Sequence, residues 1–301
     1  MQLLYLLERI RFPLLNELML LITQFGEETA FLVAALIVFW CVDQNRGYYI
    51  LGVGFSGTIL YQFLKLLCKV PRPWVQDPLF EPIPGSKEAA TGYSFPSGHS
   101  QSAVGTFGSL AVTCKNKGLR WVFGAICFLV PFSRMYLGVH TPADVLVGAA
   151  CAMVLIFALR FLNDGKYVKH MLLILSGVAV LFFVFVQFVL EPQNLDAHNY
   201  ASGLENAYTL MGAIFGMLVV YFVDEKWLHF EVKAIWWAQI LKVCGGLCLI
   251  LAIKEGMRAP LNALLGEYPG RAIRYFFIVL AAGILWPLTF RWFSSLGKKE
   301  K

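Results

Sequence analysis

Three short clusters in the first half of the chain carry side chains suited to holding and transferring a phosphoryl group. Lys65 and Arg72 lie seven positions apart in Lys65-Leu-Leu-Cys-Lys-Val-Pro-Arg72-Pro73, and Arg134 follows Ser133 in the third cluster. Together they offer one compact ammonium and two planar guanidinium forks, which neutralise and orient a phosphate dianion. Between them stands Phe95-Pro96-Ser97-Gly98-His99-Ser100, where an apolar helix is expected to begin. A helix start brings backbone N–H groups and the positive end of the helix dipole to an anion. Two histidines, His99 and His140, provide a nucleophile and an acid. Asp144 follows His140 by four residues, and Thr141-Pro142 reads as an N-cap with a first-turn proline. Asp144 is therefore placed to reach back to the imidazole, set its tautomer and leave the other nitrogen free to attack.

The elements that must position these residues are membrane helices. Of the 301 residues, 58% are hydrophobic and only 15% charged, and the mean hydropathy is +0.64. Both proportions lie well outside the range of soluble domains. This excludes a soluble enzyme, a disordered chain and a nucleic-acid reader. Apolar stretches near 29–43, 47–67, 98–114, 121–137, 143–161, 170–190, 204–223, 235–253 and 272–292 predict about nine transmembrane helices in an all-α, polytopic bundle. Residues 1–28 read as an N-terminal interfacial amphipathic segment, because Glu8, Arg9, Arg11, Pro13 and Glu17 interrupt the apolar residues there. No signal peptide is expected. Two of the nine spans separate the second cluster from the third, which returns all three clusters to one membrane face. Positive charges, among them Lys298, Lys299 and Lys301, are more numerous on the opposite face. The positive-inside rule thus places the proline-rich Val70–Pro96 loop, and the clusters, on the non-cytoplasmic side of a cell membrane.

With the clusters set out, the chain is similar to the type 2 phosphatidic acid phosphatase (PAP2) superfamily. That signature reads K-x6-R-P, then P-S-G-H, then S-R-x5-H-x3-D, and every position is matched here. The resemblance is strong over about 51–161. It implies a PAP2-type catalytic core over 29–162, with additional C-terminal transmembrane helices over 163–301. It also implies a role for each matched residue. His140 would be the nucleophile that forms a phosphohistidine, Asp144 would hold it, and His99 would protonate the leaving alkoxide and then activate water. Lys65, Arg72, Ser97, Gly98 and Arg134 would bind the phosphoryl oxygens. The implied reaction needs no metal and no cofactor. The implied substrate is a lipid phosphomonoester or diphosphate at the bilayer, of phosphatidate or sphingoid-base phosphate type, with undecaprenyl diphosphate as the alternative. A transporter or scramblase that binds such a head without cleaving it would need the cations, but not two histidines and an orienting acid.

The remaining polar residues have plainer readings. The seven cysteines lack metal-ligand spacing and read as small apolar residues. Lys69, Lys87, Lys254, Arg258, Arg271 and Arg274 read as solvated or headgroup-level cations. Lys242 is expected to snorkel from a span end, and Glu205 to cap the N-terminus of a span through the helix dipole. The sequence does not set an oligomeric state.

Overall fold

The chain's structure is a computed structural model that describes residues 1–87, 90, 92–191 and 196–296. Lys298, Lys299 and Lys301 of the charge comparison, and part of the Val70–Pro96 loop, lie outside the described residues. Those residues form helices and connecting turns, with no strand among them. In chain order the α-helices are α1 Gln2–Glu8, α2 Pro13–Thr23, α3 Glu28–Cys41, α4 Gln44–Cys68, α5 Pro73–Gln76, α6 Gly98–Thr113 and α7 Lys117–Tyr136. They continue with α8 Pro142–Ala158, α9 Val168–Val184, α10 Ala197–Val223, α11 Trp236–Gly256, α12 Arg258–Leu265, α13 Glu267–Leu280 and α14 Phe290–Ser295.

Each of the nine apolar stretches falls on a helix, but the count of spans differs from nine. Among the described residues, six helical runs are long and apolar enough to cross a membrane. A seventh arises if α2 and α3, bent by 53° at their junction, act as one unit. That pairing draws Pro13–Gly26, expected on the surface, into a broken span or a re-entrant loop. Helices α6 and α8 have only 16 and 17 residues. At 1.5 Å per residue each covers about 25 Å, less than the hydrocarbon core. Their shortness has a local cause, because each starts at a fixed cap that belongs to the residue clusters. Ser97 caps α6, its side chain accepting from the Ser100 N–H, and Thr141 caps α8 in a capping box with Asp144.

The chain divides into two compact units. The first comprises Met1–Ala34, Val53–Arg160 and Pro192–Gly203. Within it α6 packs on α7 and α8, and α2 lies along α7. Glycine makes these approaches possible. A side chain at Gly98 would press on the Tyr61 ring of α4 at 3.0 Å, and one at Gly148 would meet the Ser97 carbonyl at 2.5 Å.

The second unit comprises Ala35–Gly52, Phe161–Glu191 and Leu204–Lys301. Helix α13 crosses α10 at Gly212 and Gly216, whose missing side chains admit the backbone of Ala272 and Phe276. Two expectations are corrected here. Lys242 does not snorkel: it is fully buried, its Nζ donates to the carbonyls of Trp40 (2.9 Å) and Val232 (3.1 Å), and it stands 4.0 Å from the centre of the Phe290 ring. A buried ammonium satisfied in this way ties α11 to the end of α3. Glu205 does not cap a helix either. Helix α10 begins at Ala197, so Glu205 sits two turns inside it and pairs with Arg271 on α13 at 3.1 Å.

The contact between Gly148 and Ser97 yields a stability prediction. Gly148→Ala has no room beside a backbone carbonyl. It should destabilise the fold by about 1–3 kcal/mol and displace the Ser97 turn, lowering activity as well. Thermal unfolding and turnover check this, and a variant with unchanged melting temperature and rate would contradict it.

Candidate active site

All eight residues singled out by the three clusters belong to the first unit, and the fold draws them together. Lys65 comes from the last turn of α4 and Arg72 from the turn before α5. Ser97, Gly98 and His99 open α6, Arg134 lies in the last turn of α7, and His140 and Asp144 flank the start of α8. His99, Arg134, His140, Lys65 and Arg72 all lie within electrostatic range of one another's charges. Apart from partly exposed Gly98 and His99, each of the eight is at least nine-tenths buried. Three buried cations with one carboxylate make an environment short of negative charge, which suits an incoming dianion.

His140 is held from both sides. Arg72 Nη1 lies 2.9 Å from His140 Nε2. A guanidinium only donates, so Nε2 is the accepting nitrogen and Nδ1 carries the ring proton. Nδ1 faces Asp144 Oδ2 at 3.4 Å. The same Oδ2 accepts from the Thr141 N–H (2.8 Å), closing the capping box, and from the Ser94 hydroxyl (2.6 Å). One carboxylate oxygen thereby serves a helix cap and a loop serine and faces the imidazole, whose buried Nδ1 makes no hydrogen bond among the described residues.

The cations are fixed mostly by carbonyl oxygens. Lys65 Nζ donates to the Tyr93 carbonyl at 2.7 Å. Arg72 donates from Nε to the Gly92 carbonyl at 2.9 Å and from Nη1 to the Val139 carbonyl at 3.1 Å. Arg134 Nη1 donates to the Thr23 hydroxyl at the end of α2, 2.8 Å away. Arg134 Nε and Nη2 and His99 Nε2 are buried and find no partner among the described residues. The Ser97 N–H donates to the Asp144 carbonyl at 2.9 Å, so the anion donors expected at this helix start begin at Gly98 rather than Ser97.

Ser94 and Thr23 were not among the sequence-predicted residues. Ser94 stands three positions before Ser97, outside any motif spacing. Thr23 lies 111 residues from its partner on an apolar helix. Burial pushes the His140 imidazole well below the ordinary histidine range, and the charges of Arg72, Arg134 and Lys65 push it further in the same direction. The ring is therefore neutral at neutral pH, and Nε2 keeps its lone pair.

Comparisons with known proteins follow the same division of the chain. The family model described as PAP2 superfamily matches residues 46–166, and the one described as PAP2 superfamily phosphatase, transmembrane extension, matches 208–299. Phosphatidylglycerophosphatase B of Bacillus subtilis is 30% identical over 169 residues, covering 52% of this chain and 78% of its own. Undecaprenyl-diphosphatase BcrC of the same organism is 27% identical over 152 residues, 50% of this chain and 76% of its own. An undecaprenyl-diphosphatase of Sulfolobus acidocaldarius is 30% identical over 139 residues, 44% and 64% respectively. No solved structure matches this chain.

The sign of the His140 shift gives a pH prediction. A histidine held below its ordinary value of about 6.5 stays neutral as pH falls through 6.5, whereas in the unfolded chain it takes up a proton there. The acid limb of kcat/KM that belongs to His140 should lie below pH 6.5, and stability should fall across the same acidic window. Rate profiles and thermal unfolding between pH 4.5 and 8 check both, and an acid limb centred at or above 6.5 would contradict the assignment.

Proposed function

This chain belongs to the PAP2 superfamily, as a phosphoric ester hydrolase, and we propose that it releases phosphate from a membrane lipid through a phosphohistidine on His140. The observation that carries this reading is the polarity of His140: Nε2 is the accepting nitrogen beside Arg72, and Nδ1 faces Asp144. In the proposed reaction Lys65, Arg72 and Arg134 bind the phosphoryl oxygens, with the Ser97 hydroxyl and the backbone N–H groups that begin at Gly98. His140 Nε2 attacks phosphorus while the ester oxygen leaves. His99, which takes up a proton when the phosphate dianion offsets the charges of Arg134, Lys65 and Arg72, gives that proton to the leaving oxygen, so the lipid departs as an alcohol, or as a monophosphate if the substrate is a diphosphate. Asp144 holds the Nδ1 proton and offsets the charge that develops on the ring. His99, now neutral, then takes a proton from water as the water oxygen attacks phosphorus. The N–P bond breaks and inorganic phosphate leaves. Most of the acceleration falls to the three cations, because phosphoryl transfer is governed by charge stabilisation.

The names of the relatives support a lipid substrate and shift the weight among candidates. Two are named for undecaprenyl diphosphate and one for phosphatidylglycerophosphate, so these two rank ahead of phosphatidate and sphingoid-base phosphate. A bundle of apolar helices suits a substrate whose tail stays in the bilayer while its head reaches buried cations. On this reading residues 29–162 carry the catalysis and 163–301 add membrane helices. The site opens to the non-cytoplasmic side of the cell membrane, on the charge asymmetry of the loops.

The test is phosphate release in EDTA by the purified protein from undecaprenyl diphosphate, phosphatidylglycerophosphate, phosphatidate, sphingosine 1-phosphate and glucose 6-phosphate. Intact and permeabilised cells are assayed in parallel with a short-chain substrate. One lipid should stand far above the rest, with equal rates in intact and permeabilised cells. His140→Ala should abolish turnover, and Arg134→Ala should lose about 3 kcal/mol of transition-state stabilisation. Turnover by His140→Ala would overturn the nucleophile, and activity that appears only on permeabilisation would overturn the orientation.

A further inference from the structure

The second unit contains a cation that nothing in the proposed reaction uses. Arg274 lies in α13, about 10 Å along the helix from its start at Glu267. It does not behave as the solvated cation its sequence suggests, for it is only 5% exposed. Its Nε and Nη1 are buried and find no hydrogen-bond partner among the described residues. Its guanidinium carbon stands 5.7 Å from the centre of the neighbouring Tyr275 ring, a contact that uses none of its N–H groups as hydrogen-bond donors.

The surroundings add positive charge rather than cancel it. Arg271 and Arg258 lie within electrostatic range, together with one carboxylate, Glu255. Arg271, one turn before Arg274 on the same helix, is held by Glu205 at 3.1 Å and by the Thr209 hydroxyl at 3.0 Å. Glu205 is thus committed to Arg271. Arg258 opens the short helix α12, which packs along α13. A guanidinium buried with two of its nitrogens unbonded is costly to a marginally stable fold unless a ligand meets it. A planar fork with unspent donors has a natural partner in a tetrahedral oxyanion, bound bidentately. On the same helix Ile273 and Phe277 are exposed apolar side chains, alongside which acyl chains can lie. Basic pockets among membrane helices hold lipid head groups by these means.

We propose that Arg274, supported by Arg271 and Arg258, forms an anion site in the second unit whose ligand is a phosphate group, carried by a membrane lipid or free in solution. It is built from residues other than those assigned to catalysis, and a phosphodiester head fits it as well as a monoester.

The experiment is thermal unfolding of the full-length protein in neutral detergent. Phosphatidylglycerol is compared with phosphatidylcholine at equal apolar content, and inorganic phosphate is added in separate samples. For the wild type, phosphatidylglycerol should raise the melting temperature by several degrees over phosphatidylcholine. Arg274→Gln should lose at least half of that rise, with binding about tenfold weaker. A phosphate-induced rise that likewise depends on Arg274 identifies the free ion as a ligand, and a rise confined to phosphatidylglycerol identifies the lipid head. Arg274→Met should melt above the wild type without either ligand, since it removes the unpaired charge and keeps the bulk. If Arg274→Gln does not fold, the exposed Arg258→Gln is read in the same way, with a smaller loss. Equal rises in wild type and variant, or no rise in the wild type with either ligand, would overturn the proposal.

Discussion

The proposed chemistry depends on one short contact, the approach of Arg72 Nη1 to His140 Nε2 at 2.9 Å. Because a guanidinium has no lone pair to offer, this contact decides which imidazole nitrogen is nucleophilic and which carries the proton. The opposite nitrogen then has to face an acceptor, and Asp144 Oδ2 is the group placed there. Arg72 also bonds the carbonyls of Gly92 and Val139, so the fork that orients the histidine is itself fixed by the loop before α6 and the turn before α8. In the proposed reaction this N–H group passes from the imidazole to a phosphoryl oxygen, which frees the Nε2 lone pair for attack.

Much of the surrounding architecture follows from keeping that arrangement rigid. Asp144 supplies the capping box of α8, the acceptor for Ser94 and, through its carbonyl, the partner of the Ser97 N–H. A single residue thus couples the second cluster to the third. Gly148, one turn further along α8, lets the Ser97 turn approach. The cost is two helices too short to cross a bilayer by themselves, an acceptable geometry because both stand among longer neighbours and begin at a polar site.

The parts of this molecule that were legible in the sequence are those whose signal is local. Nine apolar stretches fall on nine helices, because a run of apolar residues needs no tertiary information to be recognised. The cap at Thr141-Pro142 was legible for the same reason, and Asp144 faces His140 at 3.4 Å because four residues span one helical turn. Ser94, Thr23, Lys242 and Glu205 were not. Ser94 and Thr23 acquire their partners only when loops and helices 50 and 111 residues apart meet. Lys242 finds the carbonyls of Trp40 and Val232 where snorkelling would have carried it to the interface. Glu205 was misplaced because α10 extends through Gly203 to Ala197, and one glycine did not stop a helix whose other residues favour it.

The central claim, that His140 is held neutral with its proton on Nδ1 and its lone pair on Nε2, is open to direct measurement. Nitrogen-15 NMR of histidine-labelled protein, with the His140 signals assigned by comparison with His140→Gln, reports the tautomer and charge of that ring. At pH 6 the His140 ring should be a neutral imidazole protonated at Nδ1. A ring protonated at Nε2, or an imidazolium at that pH, would contradict it.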